Sequence, residues 1–200
     1  MIDGIKISKR GNVTLCLFEN FSEQFKSIIR ENLANICNGK QKVDTAPEIY
    51  SYQYTLDDFF QRFSTKAPPT QLGMIGELLS HLLIIELNEE LISVNPYYNM
   101  EERSIKKGFD LVLFEFKKNN KMWITEVKSG QLGKSVNSNV KNKELINIAK
   151  RDLDKRLNKQ SDNIWHNAIN GAYVAMSESD RKNAVIRILN DSLFESRKSR

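Results

Sequence analysis

Residues 71–90 constrain the fold more than any other part of the chain. Met74, Ile75, Leu78, Leu79, Leu82, Leu83, Ile84, Ile85 and Leu87 cover nearly the whole circumference of a helix drawn through this stretch. A helix apolar all round belongs in a core. Glu77, His81 and Glu86 interrupt it, and the apolar part, 74–87, is too short to span a bilayer, which takes about 20 residues. The rest of the chain must therefore supply the core, and 200 residues can do so without disulfides. Gly73 and Gly76 lower the helix propensity of the stretch and permit a neighbour to approach closely.

Around this helix the pattern alternates between elements. Residues 5–8 and 13–18 read as strands flanking a turn at Lys9-Arg10-Gly11-Asn12. Residues 21–37 carry apolar side chains at helical spacing, with Asn38-Gly39 as the stop. Residues 40–48 read as a loop, the alternation of Tyr50, Tyr52 and Tyr54 as a short strand, and 56–63 as a short helix ended by Pro68-Pro69. After the apolar helix come a short strand over 91–94 and two strong strands over 109–117 and 122–128, joined at 118–121. A basic helix follows over 140–160, with Ile146, Ala149, Leu153 and Leu157 expected inward. Then come a short strand over 172–176 and a helix over 181–194. The expected architecture is α/β, an α+β mixed sheet in the order αβββαβ. Residues 1–70 are expected to form an N-terminal lobe, assigned by elimination to partner binding or regulation, and 71–200 the principal domain.

One constellation carries chemistry. Asp110 opens one strand, and Glu126 and Lys128 close the next. Residues two apart on a strand share a face, so Glu126 and Lys128 project together. Charges at the end of an apolar strand are costly unless they find partners or do work. In an antiparallel hairpin the start of the first strand meets the end of the second. Asp110 joins the other two on one face only if the connecting loop is odd in length or a bulge intervenes. Two carboxylates are hard oxygen ligands suited to Mg²⁺ or Mn²⁺. A lysine beside them can orient an attacking water and stabilise charge on a phosphodiester. Glu77, within the apolar helix, is a third candidate ligand or a core carboxylate held by Tyr or Lys. His81, one turn on, reads as a satisfied helix histidine. The plain alternative for the trio is a surface ion pair, worth little.

Composition adds little. A net charge of +5 leans weakly towards a polyanionic partner. Lys134, Lys143, Lys150 and Arg151 are the candidates for phosphate contact on DNA, although a charged helix is more often a solvated face. Cys16 and Cys37 lack metal-ligand spacing and read as reduced thiols, which with no targeting segment suggests the cytoplasm. Trp123 and Trp165 read as core.

Glu77 on a helix, then Asp110, then Glu126-Val127-Lys128, in this order of elements, resembles the PD-(D/E)xK nuclease superfamily over residues 71–176. Phe109 stands where the superfamily's name has proline. Within it, Gly73-Met74-Ile75-Gly76-Glu77-Leu78-Leu79, Lys107-Gly108-Phe109-Asp110, Glu126-Val127-Lys128-Ser129 and the basic helix with Asp152-Leu153 resemble the HamA family, nuclease-like subunits of bacterial Hachiman antiphage systems. The resemblance implies that 71–200 form a PD-(D/E)xK nuclease-like domain, and a metal-dependent DNA endonuclease working with a HamB-like helicase, with Asp110, Glu126 and Lys128 as its core. The alternative is an inactive module of the same fold that binds DNA or restrains the helicase.

Overall fold

A hairpin opens the chain. In the computed structural model, which describes residues 2–98, 108–115, 121–133, 137–158 and 162–198, β1 (Ile5–Arg10) pairs antiparallel with β2 (Val13–Phe18). The turn is only Gly11-Asn12, because Arg10 pairs directly with Val13. Gly11 takes φ 58°, the left-handed conformation a two-residue turn demands. Ser22 caps α1 (Glu23–Asn38), its Oγ accepting from the Phe25 amide at 3.1 Å.

Residues 40–48 are not all loop: α2 (Lys40–Thr45) occupies most of them. The alternating tyrosines do not form a strand either. Ser51 accepts from the Tyr54 amide at 3.4 Å and caps α3 (Tyr52–Ser64), so local capping overrides the period-two pattern. Pro68 and Pro69 start a helix instead of ending a section. They occupy the first turn of α4 (Pro68–Leu87), where no intrahelical N–H is needed.

At 20 residues, α4 is long and apolar enough, by length and composition, to cross a membrane, which the shorter stretch read from the sequence was not. Nor is it buried all round. Leu78, His81 and Leu82 are buried, while Leu72 and Ile75 are exposed. Its inner side joins Phe25, Ile28, Leu33 and Ile36 of α1 and Phe59 of α3 in one apolar cluster. The boundary expected at residues 70–71 thus falls where one core runs continuously from the hairpin to α4.

A second core lies on the sheet. β3 (Leu91–Ser93), β4 (Leu111–Glu115) and β5 (Lys121–Thr125) form an antiparallel sheet in that order. Three helices follow: α5 (Ser138–Asn158), α6 (Asp162–Ala175) and α7 (Asp180–Lys198). Val112 and Phe114 pack with Ile164, Trp165, Ala168, Ile169 and Ala172 of α6 and with Val185 and Leu189 of α7. Residues 172–175 of the strand expected over 172–176 are instead the end of α6, and Met176 lies just past it. The stripe at 164, 165, 168, 169 and 172 is helical, and Asn170 and Gly171 lie inside the helix. The architecture is therefore mixed α+β, with the expected final strand replaced by helix.

Candidate active site

The β4–β5 register settles the question of parity. Glu115 pairs with Lys121, Phe114 with Met122, Val112 with Ile124 and Leu111 with Thr125. Five residues, 116–120, separate the first pair, and they lie outside the described residues. The number is odd, as the shared-face reading required, although both strands are shorter than expected. The ladder ends at Leu111 and Thr125, and Asp110 and Glu126 each lie one residue beyond it, where the same register continued would set them opposite each other. The two carboxylates continue the row Phe114–Met122, Val112–Ile124 that faces the second core.

Side-chain contacts confirm the juxtaposition. Arg156 Nη1 lies 3.4 Å from Asp110 Oδ1 and 3.2 Å from Glu126 Oε2, so the two acids meet at one nitrogen. The Val127 amide donates to Asp110 Oδ2 at 2.7 Å. Lys128 Nζ donates to Glu126 Oε1 at 2.7 Å and lies 3.2 Å from Asp152 Oδ2. Asp110 and Glu126 are 8% and 2% exposed. Glu126 Oε2 is buried and accepts no hydrogen bond from the described residues.

Neighbouring elements hold this end of the sheet. Asn95, itself buried, accepts from the Val112 amide at 2.6 Å and donates to the Asp110 carbonyl at 3.4 Å. That clamp fixes where β4 begins. On the other side α4 comes so close that a Cβ on Gly76 would lie 1.7 Å from Ser129 Oγ and 3.0 Å from its Cβ. Gly76 thus permits the close approach expected of it, whereas a Cβ on Gly73 would meet nothing within 4 Å.

The same approach carries Glu77 towards the site. It is half-buried, and with Asp110 it acts on the Tyr97 phenol. Burial foremost, then these negative charges, push that phenol's pKa up. Tyr97 Oη donates to the Met74 carbonyl at 3.2 Å. Among the described residues, no three His, Cys, Asp or Glu side chains are grouped to hold an ion. His81 is buried elsewhere, lining a cavity of about 410 Å³ between α1, α4 and the sheet.

The charges of the site are mutually adjusted. Burial raises the Glu126 pKa, and Asp110 adds to that, against the opposing pull of Lys128 and Arg156. Burial alone would lower the Lys128 pKa, but hydrogen bonds to Glu126 and Asp152 outweigh it and leave it raised. The Lys128 contact holds Asp152 below the usual carboxylate range.

A model of the HamA family matches residues 3–199. The chain belongs to the HamA family. That membership suggests a component of Hachiman antiphage defence. No curated protein and no solved structure matches it.

In this HamA-family chain, α5 contributes two residues the sequence reading did not assign to the site, Asp152 and Arg156. The reason is helix phase. Of the four residues expected inward, Ala149 and Leu153 are half-buried, whereas Ile146 and Leu157 are 64% and 38% exposed. The inward stripe is Leu145, Ile148, Ala149, Asp152, Leu153 and Arg156. An acid and a base four residues apart within an apolar stripe, just after a Glu-x-Lys pair, were the available signal. Lys143, Lys150 and Arg151 lie on the exposed face of α5, and Lys134 lies outside the described residues. Trp165 is core, as expected, but Trp123 is 51% exposed on the edge strand β5.

Proposed function

We propose that this chain is a Mg²⁺-dependent DNA endonuclease of a Hachiman defence complex, controlled by a helicase partner. The observation that supports this most is the convergence of Asp110, Glu126 and Lys128 at one end of the β4–β5 ladder. The residues present suit a divalent ion. They offer two adjacent carboxylates, one with a buried oxygen that accepts no hydrogen bond from the described residues and has Arg156 3.2 Å away, and Mg²⁺ commonly takes only one or two protein carboxylates and keeps its waters. Asp110 and Glu126 would hold the ion, with Glu77 supporting from α4. Bound there, the ion would acidify a water and polarise the scissile phosphodiester.

The chain's own groups do the rest. Lys128, kept protonated by its acidic neighbours, presents a fixed ammonium to the attacking water or the phosphate oxygens. The Val127 amide fixes the rotamer of Asp110 by holding Oδ2, which leaves Oδ1 to face Glu126. The exposed bases Lys143, Lys150 and Arg151 on α5 lie on the element that covers the site, where backbone contacts would position DNA without reading its sequence.

The test is plasmid cleavage with and without Mg²⁺ and a helicase partner. Glu126→Ala and Lys128→Ala are each expected to lower the rate by at least about 100-fold, with the melting profile still cooperative. Full activity in both variants, with contaminating nuclease excluded, removes the proposal.

A further inference from the structure

α5 covers the site with reciprocal charges. Asp152, one turn before Arg156, pairs with Lys128, while Arg156 touches both Asp110 and Glu126 and also donates to the Gly108 carbonyl. Each charged member of the trio is therefore matched by an opposite charge from one helix. Arg156 Nη1 spans the two carboxylate oxygens that a shared divalent ion would need. Two close carboxylates require a counter-charge in one form or another. A guanidinium and a divalent ion cannot both take those oxygens.

We infer that Arg156 is a built-in competitor for the metal position: it neutralises Asp110 and Glu126 in the ion-free protein and must leave them for a divalent ion to bind. This rests on the nuclease reading of the site. When Arg156 leaves, its planar fork is released beside the site, where a DNA phosphate is its natural new partner. The chain is then held closed by its own charges, and anything that draws Arg156 or α5 away promotes ion binding. Arg156 is a positioning residue here, since it acts through the ion's two ligands.

The test measures ion binding, not cleavage. Mn²⁺ affinity of the DNA-free protein is measured by calorimetry for the wild type, Arg156→Gln, Arg156→Lys and Glu126→Gln, alongside the rise in Tm that Mn²⁺ produces in each. Arg156→Gln is expected to bind Mn²⁺ about tenfold more tightly, the order of one lost charge-assisted contact. Its Tm should be lower than the wild type's without the ion and should rise further on adding it. Arg156→Lys should fall between, because lysine keeps the positive charge but its side chain is one atom shorter than the path to Arg156 Nη1. It also serves if the glutamine variant does not fold.

Equal or weaker Mn²⁺ binding in the Arg156 variants, with Glu126→Gln abolishing it, overturns the competitor role and leaves the metal site standing. Mn²⁺ binding that Glu126→Gln does not alter, or no binding in any variant even with DNA present, overturns both.

Discussion

Glu126 sits in a position its chemistry resists. It is an acid in a nearly closed environment, beside a second acid, and burial and Asp110 together raise its pKa. The sign of the consequence follows from linkage. An acid whose folded pKa lies above its unfolded value favours folding while protonated, and that advantage is lost as pH rises through the folded value. At neutral pH the ionised carboxylate therefore costs stability. Glu126→Gln removes the cost and should raise the Tm of the ion-free protein at neutral pH. The gain should shrink as pH falls through the raised pKa and vanish below the ordinary carboxylate range. Calorimetric melts across that range check it. A melting temperature that drops at neutral pH would mean that Lys128 and Arg156 outweigh burial. Asp152 behaves oppositely: its depressed pKa means that its pairing with Lys128 supports the fold at neutral pH and is lost on acidification.

At the scale of elements, the site depends on how closely α4 and β5 approach. Gly76 faces Ser129, the residue after Lys128, with no room for a methyl group between them. Gly76→Ala should push the 126–129 segment away from α4. Overpacking of this kind costs about 1–3 kcal/mol, and cleavage should suffer more than stability because Lys128 moves with the segment. Ser129→Gly in the same chain vacates the space and should restore much of both. Paired melts and cleavage rates for the single and double variants decide this. If Gly76→Ala leaves both quantities unchanged, the approach seen here is not needed by the working site. The α5 contribution belongs to the same scale. A phase error of about one residue separates an expected stripe through Ile146 and Leu157 from the real one through Asp152 and Arg156.

Over the whole molecule, two cores share the work of placing the site. One joins the hairpin, α1, α3 and α4, and the other joins the sheet to α6 and α7. The charged trio lies where β4 and β5 emerge from the second core and α4 arrives from the first. α5 spans this end with its charged inner face on the trio and Lys143, Lys150 and Arg151 outward. DNA binding through that outer face should be steeply salt dependent. Each phosphate contact contributes about 0.9 to the slope of log K against log salt on duplex DNA. Replacing Lys150 and Arg151 with alanine should therefore reduce the slope by about 2, read from fluorescence anisotropy over a salt series. An unchanged slope would exclude this face as the DNA contact.

The sequence by itself determined the strand identities of β4 and β5 and the apolar helix before them. These rest on local periodicity, which side-chain spacing reports directly. It also narrowed the position of Asp110 to a single condition on loop parity. Only the tertiary structure could meet that condition, because register depends on how far each strand extends, and both proved shorter than their hydrophobic runs. The helical identity of 172–175, the capping that turned Tyr52 and Tyr54 into a helix, and the partial exposure of α4 were likewise decided by packing and local hydrogen bonds. The same holds for Asp152 and Arg156: a basic helix read alone shows a charged surface, and which of its charges face inward depends on its rotation against the sheet.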